Sequence, residues 1–397
     1  MSLVQTLSQD LLWLCAGLVL YAYLGYPALI WLLSRLFGRR HTDYVRADQD
    51  LPSMSLLIVA YNEEAVIDGR VCNALAMDYP AGKLEIVVAS DGSSDATTTL
   101  VSKYAEQGVR LLDFPQRRGK AAVINASLPE LRGELVLMSD ANTSIDPAAA
   151  RRLAQRFGDP AVGVVCGQLV FNSPQGGSNV DNLYWSYETF LKKAEARLHA
   201  LLGANGAIYA FRRQLFVPIP DDTIVDDLVV PLLARQHSGC VLAFADEALA
   251  WEDPAGSLGQ EFRRRVRLGM GGFQSFGLLW RYLDPRSGWS ALSFWSHKVL
   301  RWLCPFFLLG MLVTSGLLAD RSLYRNLFLG QVAFYGFSLL VPLLVSRVRG
   351  LRFLLLTTMF TGMNAALLVG FWRWLSRKQR GMWEPTPRQA ELTGTSR

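Results

Sequence analysis

The sequence lacks the cysteine and histidine spacings that mark disulfide frameworks and zinc centres. Its five cysteines are scattered with no close pair, and its four histidines are isolated from one another. Disulfide-rich folds and zinc sites carry these residues at characteristic short spacings. The sequence therefore indicates neither class of protein.

Charged residues are also scarce, at 19% of the chain, whereas hydrophobic residues reach 51%. The apolar excess is concentrated in four runs without a charged residue: residues 11–33, 302–319, 326–346 and 353–372. Each run is close to the ~20 residues that a helix needs to cross a bilayer core. We therefore expect four transmembrane helices, one N-terminal and three C-terminal.

The distribution of basic residues predicts the orientation of these helices. Residues 1–10 contain no lysine or arginine, which argues against a cleaved signal peptide, and three arginines follow the first run within residues 35–40. The positive-inside rule then places the region after residue 41 in the cytosol of a multi-pass plasma (inner) membrane protein. The same rule conflicts with the basic tail, residues 376–397, which three further spans leave outside, so the side of the tail stays open.

The net charge of +6 is concentrated beside the apolar runs. Residues 260–276 predict an amphipathic helix whose polar face carries four arginines, and such a helix suits a membrane interface. Contact with anionic lipid headgroups or anionic substrates explains this charge more simply than nucleic-acid binding. We therefore expect membrane lipids as partners and no nucleic acid.

The region from residue 41 to residue 255 alternates strand and helix patterns. Buried strands are predicted by apolar runs at residues 54–61, 84–89, 109–114, 134–139 and 161–171. This alternation is typical of βαβ units, so we expect an α/β domain whose mostly parallel sheet has helices on both faces. The predicted domains are an N-terminal anchor (1–40), the α/β domain (41–255), interfacial helices (256–300), transmembrane helices (301–375) and the tail (376–397).

Three acidic sites lie at strand ends or helix starts of this domain. Asp91 ends one strand, Asp140 with Asn142 ends another, and Asp226 with Asp227 lies near the start of a helix. In open α/β sheets, ligands bind at the carboxyl ends of the strands. Carboxylates can hold a nucleotide and a divalent cation, arginines can neutralise a departing diphosphate, and a further carboxylate can accept a proton. This inventory fits sugar transfer from a nucleotide diphosphate.

Six short motifs follow one another along the chain in an order that resembles that of a known family. The motifs are Val59-Ala-Tyr-Asn-Glu63, Ser90-Asp-Gly-Ser-Ser-Asp95, Gly119-Lys120 with Asn125, Ser139-Asp-Ala-Asn142, Val225-Asp-Asp227 and Arg264-Arg-Val-Arg-Leu268. In this order the chain resembles the family-2 glycosyltransferases, in particular the membrane-embedded branch with cellulose, chitin-oligomer, hyaluronan and poly-N-acetylglucosamine synthases. The resemblance implies a GT-A fold and inversion at the anomeric carbon.

The resemblance also implies a role for each matching residue. The nucleotide-sugar donor would be bound by Tyr61, Glu63, Asp91, Lys120, Asp140, Arg264 and Arg267. A Mg²⁺ or Mn²⁺ ion would be bound by Asp140 and Asn142, and Asp227 would act as general base with Asp226 beside it. The acceptor would lie near Gly203, Asn205 and Gly206.

Three motifs depart from the family pattern. Asn142 stands where the family usually has aspartate, and an amide oxygen can ligate a hard cation but brings no charge. Asp226 replaces the usual glutamate, so the identity of the base rests on alignment alone. Leu268 replaces a tryptophan that helps form the acceptor platform in processive members, and the loss of this stacking surface argues against long-polymer synthesis.

These features predict an inverting, metal-dependent hexosyl- or N-acetylhexosaminyltransferase that uses a UDP-sugar. It would extend a surface glycan or polysaccharide, alone, with a secretion partner or as a homo-oligomer. The alternative is transfer of a single sugar to a lipid acceptor at the bilayer surface, and a third hypothesis is a non-catalytic membrane scaffold. A transporter is disfavoured because none of the four apolar runs contains a charged residue or a histidine.

Overall fold

The computed structural model describes residues 3–39, 47–171, 180–253, 257–347 and 353–377, so most of the basic tail lies outside the described residues. The strands are β1 (Met54–Ala60), β2 (Leu84–Asp91), β3 (Val109–Phe114), β4 (Leu135–Asp140), β5 (Ser144–Ile145), β6 (Val162–Phe171), β7 (Tyr209–Arg212) and β8 (Val241–Glu252). The helices are α1 (Leu3–Leu20), α2 (Tyr26–Leu36), α3 (Ile67–Leu75), α4 (Thr97–Ser102), α5 (Lys120–Ser127), α6 (Ala149–Arg156), α7 (Val180–Arg197), α8 (Asp226–Ser238), α9 (Leu258–Leu279), α10 (Trp289–Ser293), α11 (Leu300–Leu317), α12 (Ser322–Arg347) and α13 (Leu355–Leu375).

The strands form one mixed sheet in the order β3-β2-β1-β4-β7-β6-β8-β5. β1 runs parallel to β2 and β4, β2 to β3, and β6 to β8, whereas β7 is antiparallel to both β4 and β6. The predicted α/β class with a mostly parallel sheet is therefore confirmed. The carboxyl ends of β1, β2 and β4 meet at one edge of the sheet, which is where three of the motifs lie.

Both faces of the sheet are covered by helices, as the apolar strand patterns predict. Alternate residues of β1 enter two separate hydrophobic clusters. Leu57 and Val59 pack with residues of α5 and α8, and Leu56 and Ile58 pack with residues of α3 and α6. Because both faces are covered, every residue of β1 is buried.

Four helical segments are long and apolar enough to cross a membrane: Leu3–Leu36, Trp289–Leu317, Ser322–Val345 and Leu355–Leu375. They confirm the prediction of one N-terminal and three C-terminal helices. The second segment begins at Trp289, earlier than the predicted start at residue 302, and includes His297, Lys298 and Arg301. The helix therefore extends N-terminally beyond the predicted apolar run, and these ionisable side chains lie in the extension.

The helix α9 connects the α/β domain to the membrane helices by very close packing. A Cβ added to Gly370 of α13 would lie 2.8 Å from the Val266 carbonyl oxygen and the Met270 nitrogen of α9. A Cβ at Gly272 would lie 2.7 Å from the Trp302 ring. The absence of side chains at these glycines therefore lets α9 approach both α13 and α11.

Candidate active site

A cavity of about 580 Å³ begins at this edge of the sheet and continues to the membrane helices. It brings together the predicted site residues except Tyr61 and Asp91: Glu63, Lys120, Asp140, Asn142, Gly203, Asn205, Gly206, Asp226, Asp227, Arg264 and Arg267. These residues lie at the ends of β1 and β4, at the starts of α5 and α8, in the loop before β7, and on α9. Leu268, which replaces the family tryptophan, also lines the cavity.

Lys120 joins two of the three acidic sites. It is the first residue of α5, and its Nζ lies 2.7 Å from Asp140 Oδ1 and 3.4 Å from Asp226 Oδ2. Burial opposes the charge, but these carboxylates outweigh it and hold the pKa of Lys120 above its ordinary value. Lys120 therefore remains a cation and offsets part of the negative charge that collects here.

Asp226 and Asp227 form the first turn of α8, where the helix dipole favours negative charge. The Asp226 side chain is buried, and burial raises the pKa of Asp226 above its ordinary value although Lys120 opposes the shift. Asp227 is more exposed than Asp226. The two carboxylates therefore differ, because one is held against Lys120 and the other is accessible from the cavity.

The loop before β7 lies directly beside the acid pair. The Ala204 N–H donates to the backbone carbonyl of Asp227 at 2.8 Å. Gly203 has a φ of 83°, a conformation that favours glycine. A Cβ at Gly206 would lie 3.5 Å from Asp140 Oδ2 and 3.8 Å from Asp227 Oδ2. The glycine therefore leaves open space next to both carboxylates.

Asn205, a predicted acceptor residue, is buried and its amide is used inside the protein. It donates to the Gly167 carbonyl at 2.7 Å and accepts a hydrogen bond from Lys192 of α7. These bonds tie the loop to β6 and to α7. Asn205 therefore holds in place the loop that presents Gly206 to the cavity.

Two arginines of α9, Arg264 and Arg267, face the cavity one helical turn apart. Arg264 donates a long hydrogen bond, 3.5 Å, to Glu261. Arg267 forms no hydrogen bond or ion pair with the described residues, and burial, together with Arg264, lowers the pKa of Arg267. Entry of an anion would stabilise a guanidinium in this setting through charge-assisted hydrogen bonds.

Tyr61 and Asp91, two predicted donor-binding residues, do not line the cavity. The Asp91 carboxylate accepts hydrogen bonds from the backbone N–H groups of Arg118 and Gly119, at 2.6 and 2.9 Å. The guanidinium carbon of Arg117 lies 3.8 Å from the centre of the Tyr61 ring. Both residues therefore contact the loop that leads into α5 and, through it, help to position Lys120.

Glu252 is a cavity residue that the sequence motifs do not include. It accepts a hydrogen bond from Thr143 Oγ1 at 2.9 Å, and burial, with the nearby Asp140 carboxylate, raises the pKa of Glu252 to about 7. Glu252 is the last residue of β8, which pairs with β6 over this stretch. The continuous apolar run Ala248-Leu-Ala-Trp251 before it is the local signal that β8 extends this far.

The far end of the cavity, the membrane end, is formed by α7, α11, α13 and the N-terminal helical segment. Its apolar wall comes from α13, with Leu356, Met359, Phe360 and Met363, and its polar wall comes from α7 and from the segment around residue 298. The same cavity thus connects the acid pair with side chains of the candidate membrane spans.

Comparison with known proteins identifies the α/β region. The family model for glycosyl transferase family 2 matches residues 55–217. This chain carries a family-2 glycosyltransferase domain. The resemblance carried by the ordered motifs is therefore confirmed.

Two curated relatives support this assignment. The chain is 27% identical over 232 residues to poly-beta-1,6-N-acetyl-D-glucosamine synthase of Staphylococcus aureus, and the match covers 57% of this chain and 56% of the relative. It is 28% identical over 177 residues to an N-acetylglucosaminyltransferase of Rhizobium leguminosarum bv. viciae, covering 43% and 42%. The matches thus span about half the length of these relatives.

A solved structure shares the architecture. The mannosyltransferase from Pyrobaculum calidifontis, determined with GDP-Man and Mn²⁺, superimposes with a TM-score of 0.71 at 21% identity and covers 93% of this chain and 100% of its own. The likeness shows a common fold. The predicted GT-A-like architecture is therefore confirmed for this chain.

Proposed function

We propose that this glycosyltransferase moves a hexosyl or N-acetylhexosaminyl group from a UDP-sugar to an acceptor hydroxyl that reaches the cavity from the membrane side. The observation that carries the proposal is the convergence of Lys120, Asp140, Asp227 and Arg267 in one cavity that continues to α13. The names of the two curated relatives support N-acetylglucosamine as the transferred sugar.

In the proposed reaction the acceptor oxygen attacks the anomeric carbon while the bond from that carbon to the diphosphate breaks, so the configuration inverts. Asp227 accepts the proton of the acceptor hydroxyl, because it is the more exposed member of the acid pair and lies beside Gly206. The nucleoside diphosphate leaves with the bonding electrons, and Arg267 and Lys120 stabilise its negative charge.

Asp140 and Asn142 have the chemistry to hold Mg²⁺ or Mn²⁺. They offer a carboxylate and an amide oxygen at the end of β4, and oxygen atoms are the ligands that hard cations prefer. Within the described ranges, no three acidic, histidine or cysteine side chains are grouped as a complete metal site. Such an ion would be held by these one or two protein groups together with substrate phosphates. When bound, it would supply positive charge at the donor diphosphate.

We also propose that the α/β domain, residues 41–255, faces the cytosol at the plasma (inner) membrane. The four candidate spans and the basic Arg35 in the last turn of α2 support this orientation. Residues 256–300 would lie at the interface and residues 301–375 in the bilayer.

Two acceptor classes are open to such an enzyme. The name of the Staphylococcus aureus relative supports a growing polysaccharide. The apolar wall of α13, and Leu268 in place of an aromatic platform for sugar rings, favour transfer to a lipid acceptor.

The proposal is tested by UDP release from a panel of UDP-sugars, using the purified full chain in lipid with Mg²⁺ or Mn²⁺. We expect release from one donor, and a loss of about 10²-fold or more in Asp227→Asn because proton transfer contributes that much to rate. Asp68→Asn, the same change at an exposed residue of α3, is the matched control.

Two results would contradict the proposal. Equal release by wild type and Asp227→Asn would remove Asp227 as the base and direct the same test to Asp226. No release from any donor in the presence of membrane lipids would favour the non-catalytic scaffold. NMR of the product's anomeric proton tests inversion separately.

A further inference from the structure

Three basic side chains line the membrane end of the cavity. Lys192 belongs to α7, and Lys298 and Arg301 lie about one turn apart on the helical segment Trp289–Leu317. A charged side chain that is removed from water is costly unless a group of opposite charge pairs with it. These three cations therefore call for a partner.

Two buried glutamates of α7 offset part of this positive charge. Arg301 donates to Glu188 Oε1 at 2.5 Å, and the ring nitrogens of His297 contact Glu188 at 3.1 Å and Glu195 at 2.7 Å. Glu195 also accepts a hydrogen bond from Tyr26 of α2 at 2.7 Å. This network fixes α7 against the N-terminal and second candidate spans.

Lys298 is different from its neighbours. It lines the cavity, yet it forms no hydrogen bond or ion pair with any residue in the described part of the chain. It lies within electrostatic range of Glu188 and Glu195, and also of the cations Lys192 and Arg301. Its ammonium group therefore has hydrogen-bond donors available to a molecule in the cavity.

The positive and negative side chains at the membrane end of the cavity do not balance, and one anion would offset the difference. Glu188 and Glu195 provide two negative charges, and Lys192, Lys298 and Arg301 provide three positive charges, so an excess of one positive charge remains even when His297 is neutral. A buried excess charge is costly unless a counter-ion binds. The membrane end of the cavity thus has the electrostatics of a site for one anionic group.

The surroundings of this site are suited to a lipid. Opposite the cations, α13 presents Leu356, Met359, Phe360 and Met363 to the same cavity. Toward the catalytic end, Lys192 Nζ lies 3.3 Å from the Ala204 carbonyl oxygen, in the loop that is bonded to Asp227. An amphipathic molecule could therefore place its chain against α13, its anionic group at Lys298 and its hydroxyl toward the acid pair.

We propose that the acceptor is a lipid with a phosphate group, and that Lys298, assisted by Arg301, binds this phosphate. The inference rests on the proposed function, of which it names the acceptor class. Lys298 is a positioning residue, because it holds the acceptor without contacting the atoms that react. Arg301 also carries the buried pair with Glu188, so Lys298 is the residue whose substitution tests the site.

The test is direct binding of dioctanoyl phosphatidic acid to the full chain in neutral detergent, measured by native mass spectrometry without donor or metal. Dioctanoylglycerol is the uncharged comparison. We expect phosphatidic acid to bind about tenfold more tightly than dioctanoylglycerol, and this preference to be lost in Lys298→Met, as expected for one charged hydrogen bond. Lys298→Arg should retain it.

The matched control is Lys193→Met, the same change on α7 at a lysine that is paired with Asp246 at 2.8 Å at the surface. Equal binding of the two lipids by wild type would overturn the proposal, and this arm does not depend on whether Lys298→Met folds. Equal phosphatidic acid binding by wild type and Lys298→Met would also overturn it. Displacement of the lipid by inorganic phosphate at similar concentration would assign the site to soluble phosphate instead.

The binding assay and the UDP-release assay test separate claims, and either one can give a negative result without the other. If no UDP-sugar is turned over but phosphatidic acid binding depends on Lys298, the proposed function is wrong and the lipid site stands. If UDP release depends on Asp227 but lipid binding does not depend on Lys298, the transferase stands and the phosphate-bearing acceptor is wrong.

Discussion

The Nζ atom of Lys120 lies 2.7 Å from Oδ1 of Asp140, so a buried cation already contacts the carboxylate that we assign to the metal. The pair joins the start of α5 to the end of β4, and Lys120 also approaches Asp226. This arrangement gives the chain a positive charge of its own beside the position that we propose for the donor diphosphate.

We expect Lys120→Met to lower kcat/KM for the donor by about 10²-fold, the size of effect seen when one preorganised electrostatic group is removed. Lys120→Arg should retain part of the activity. The measurement is UDP release as a function of donor concentration, and Lys103→Met, at an exposed lysine, is the control. An unchanged kcat/KM in Lys120→Met would show that the pair with Asp140 is purely structural.

Asn142→Asp should increase the affinity for the divalent cation, because a second carboxylate adds negative charge to the ligand set. The concentration of Mn²⁺ that gives half-maximal UDP release should fall by about tenfold, since affinity rises with ligand charge. Gln107→Glu adds the same charge at an exposed position and should leave the Mn²⁺ curve unchanged. A curve that does not move in Asn142→Asp would argue that residue 142 is not a ligand.

Gly370→Ala should destabilise the protein, because its methyl group would lie 2.8 Å from backbone atoms of α9. Overpacking of this kind costs about 1–3 kcal/mol. We also expect lower activity, since α9 carries Arg264 and Arg267. Gly362→Ala, on the same helix with no atom within 4 Å of the new methyl group, is the control. Thermal unfolding in detergent should separate the two variants, and identical curves would disprove close packing of α9 and α13.

Glu188→Gln should lower thermal stability at neutral pH, because breaking a buried ion pair costs about 3–5 kcal/mol. Burial opposes the charge, but Arg301 and His297 outweigh it and hold the pKa of Glu188 well below its ordinary value of 4.5. A lowered carboxyl pKa stabilises the fold above the ordinary value, and this stabilisation is lost as the pH falls through the lower pKa.

The difference in unfolding temperature between wild type and Glu188→Gln should therefore be constant near neutral pH and shrink below 4.5. Glu130→Gln, at an exposed residue, should show no such difference. A difference that grows on acidification would mean that Glu188 is protonated in the folded protein.

Most of the fold could be predicted because its signals are local. The strands β1, β2 and β4 are continuous apolar runs that end in turn-forming residues, and the membrane helices are long apolar runs. The start of the second membrane helix could not be predicted, since His297, Lys298 and Arg301 interrupt the apolar pattern. His297 and Arg301 pair with Glu188 and Glu195, which lie about one hundred residues earlier in the chain.

The candidate site was predictable as a set of residues but not as an arrangement. Asp91 matches a donor motif, but its carboxylate is occupied by the backbone of residues 118–119. Glu252 belongs to no motif, and it reaches the cavity because β8 continues beside β6. Neither outcome could be predicted, because each depends on which distant segment packs against the residue.

By itself, the sequence determined the α/β class, the four membrane helices, the family and the residues that meet at the strand ends, because these follow from local pattern and residue order. The tertiary structure decided which carboxylate is held by Lys120 and which is accessible, and it placed Lys298 in the cavity that contains Asp227. Electrostatic energy depends on the distance and burial of charges, and both are set by packing between segments that are far apart in the chain.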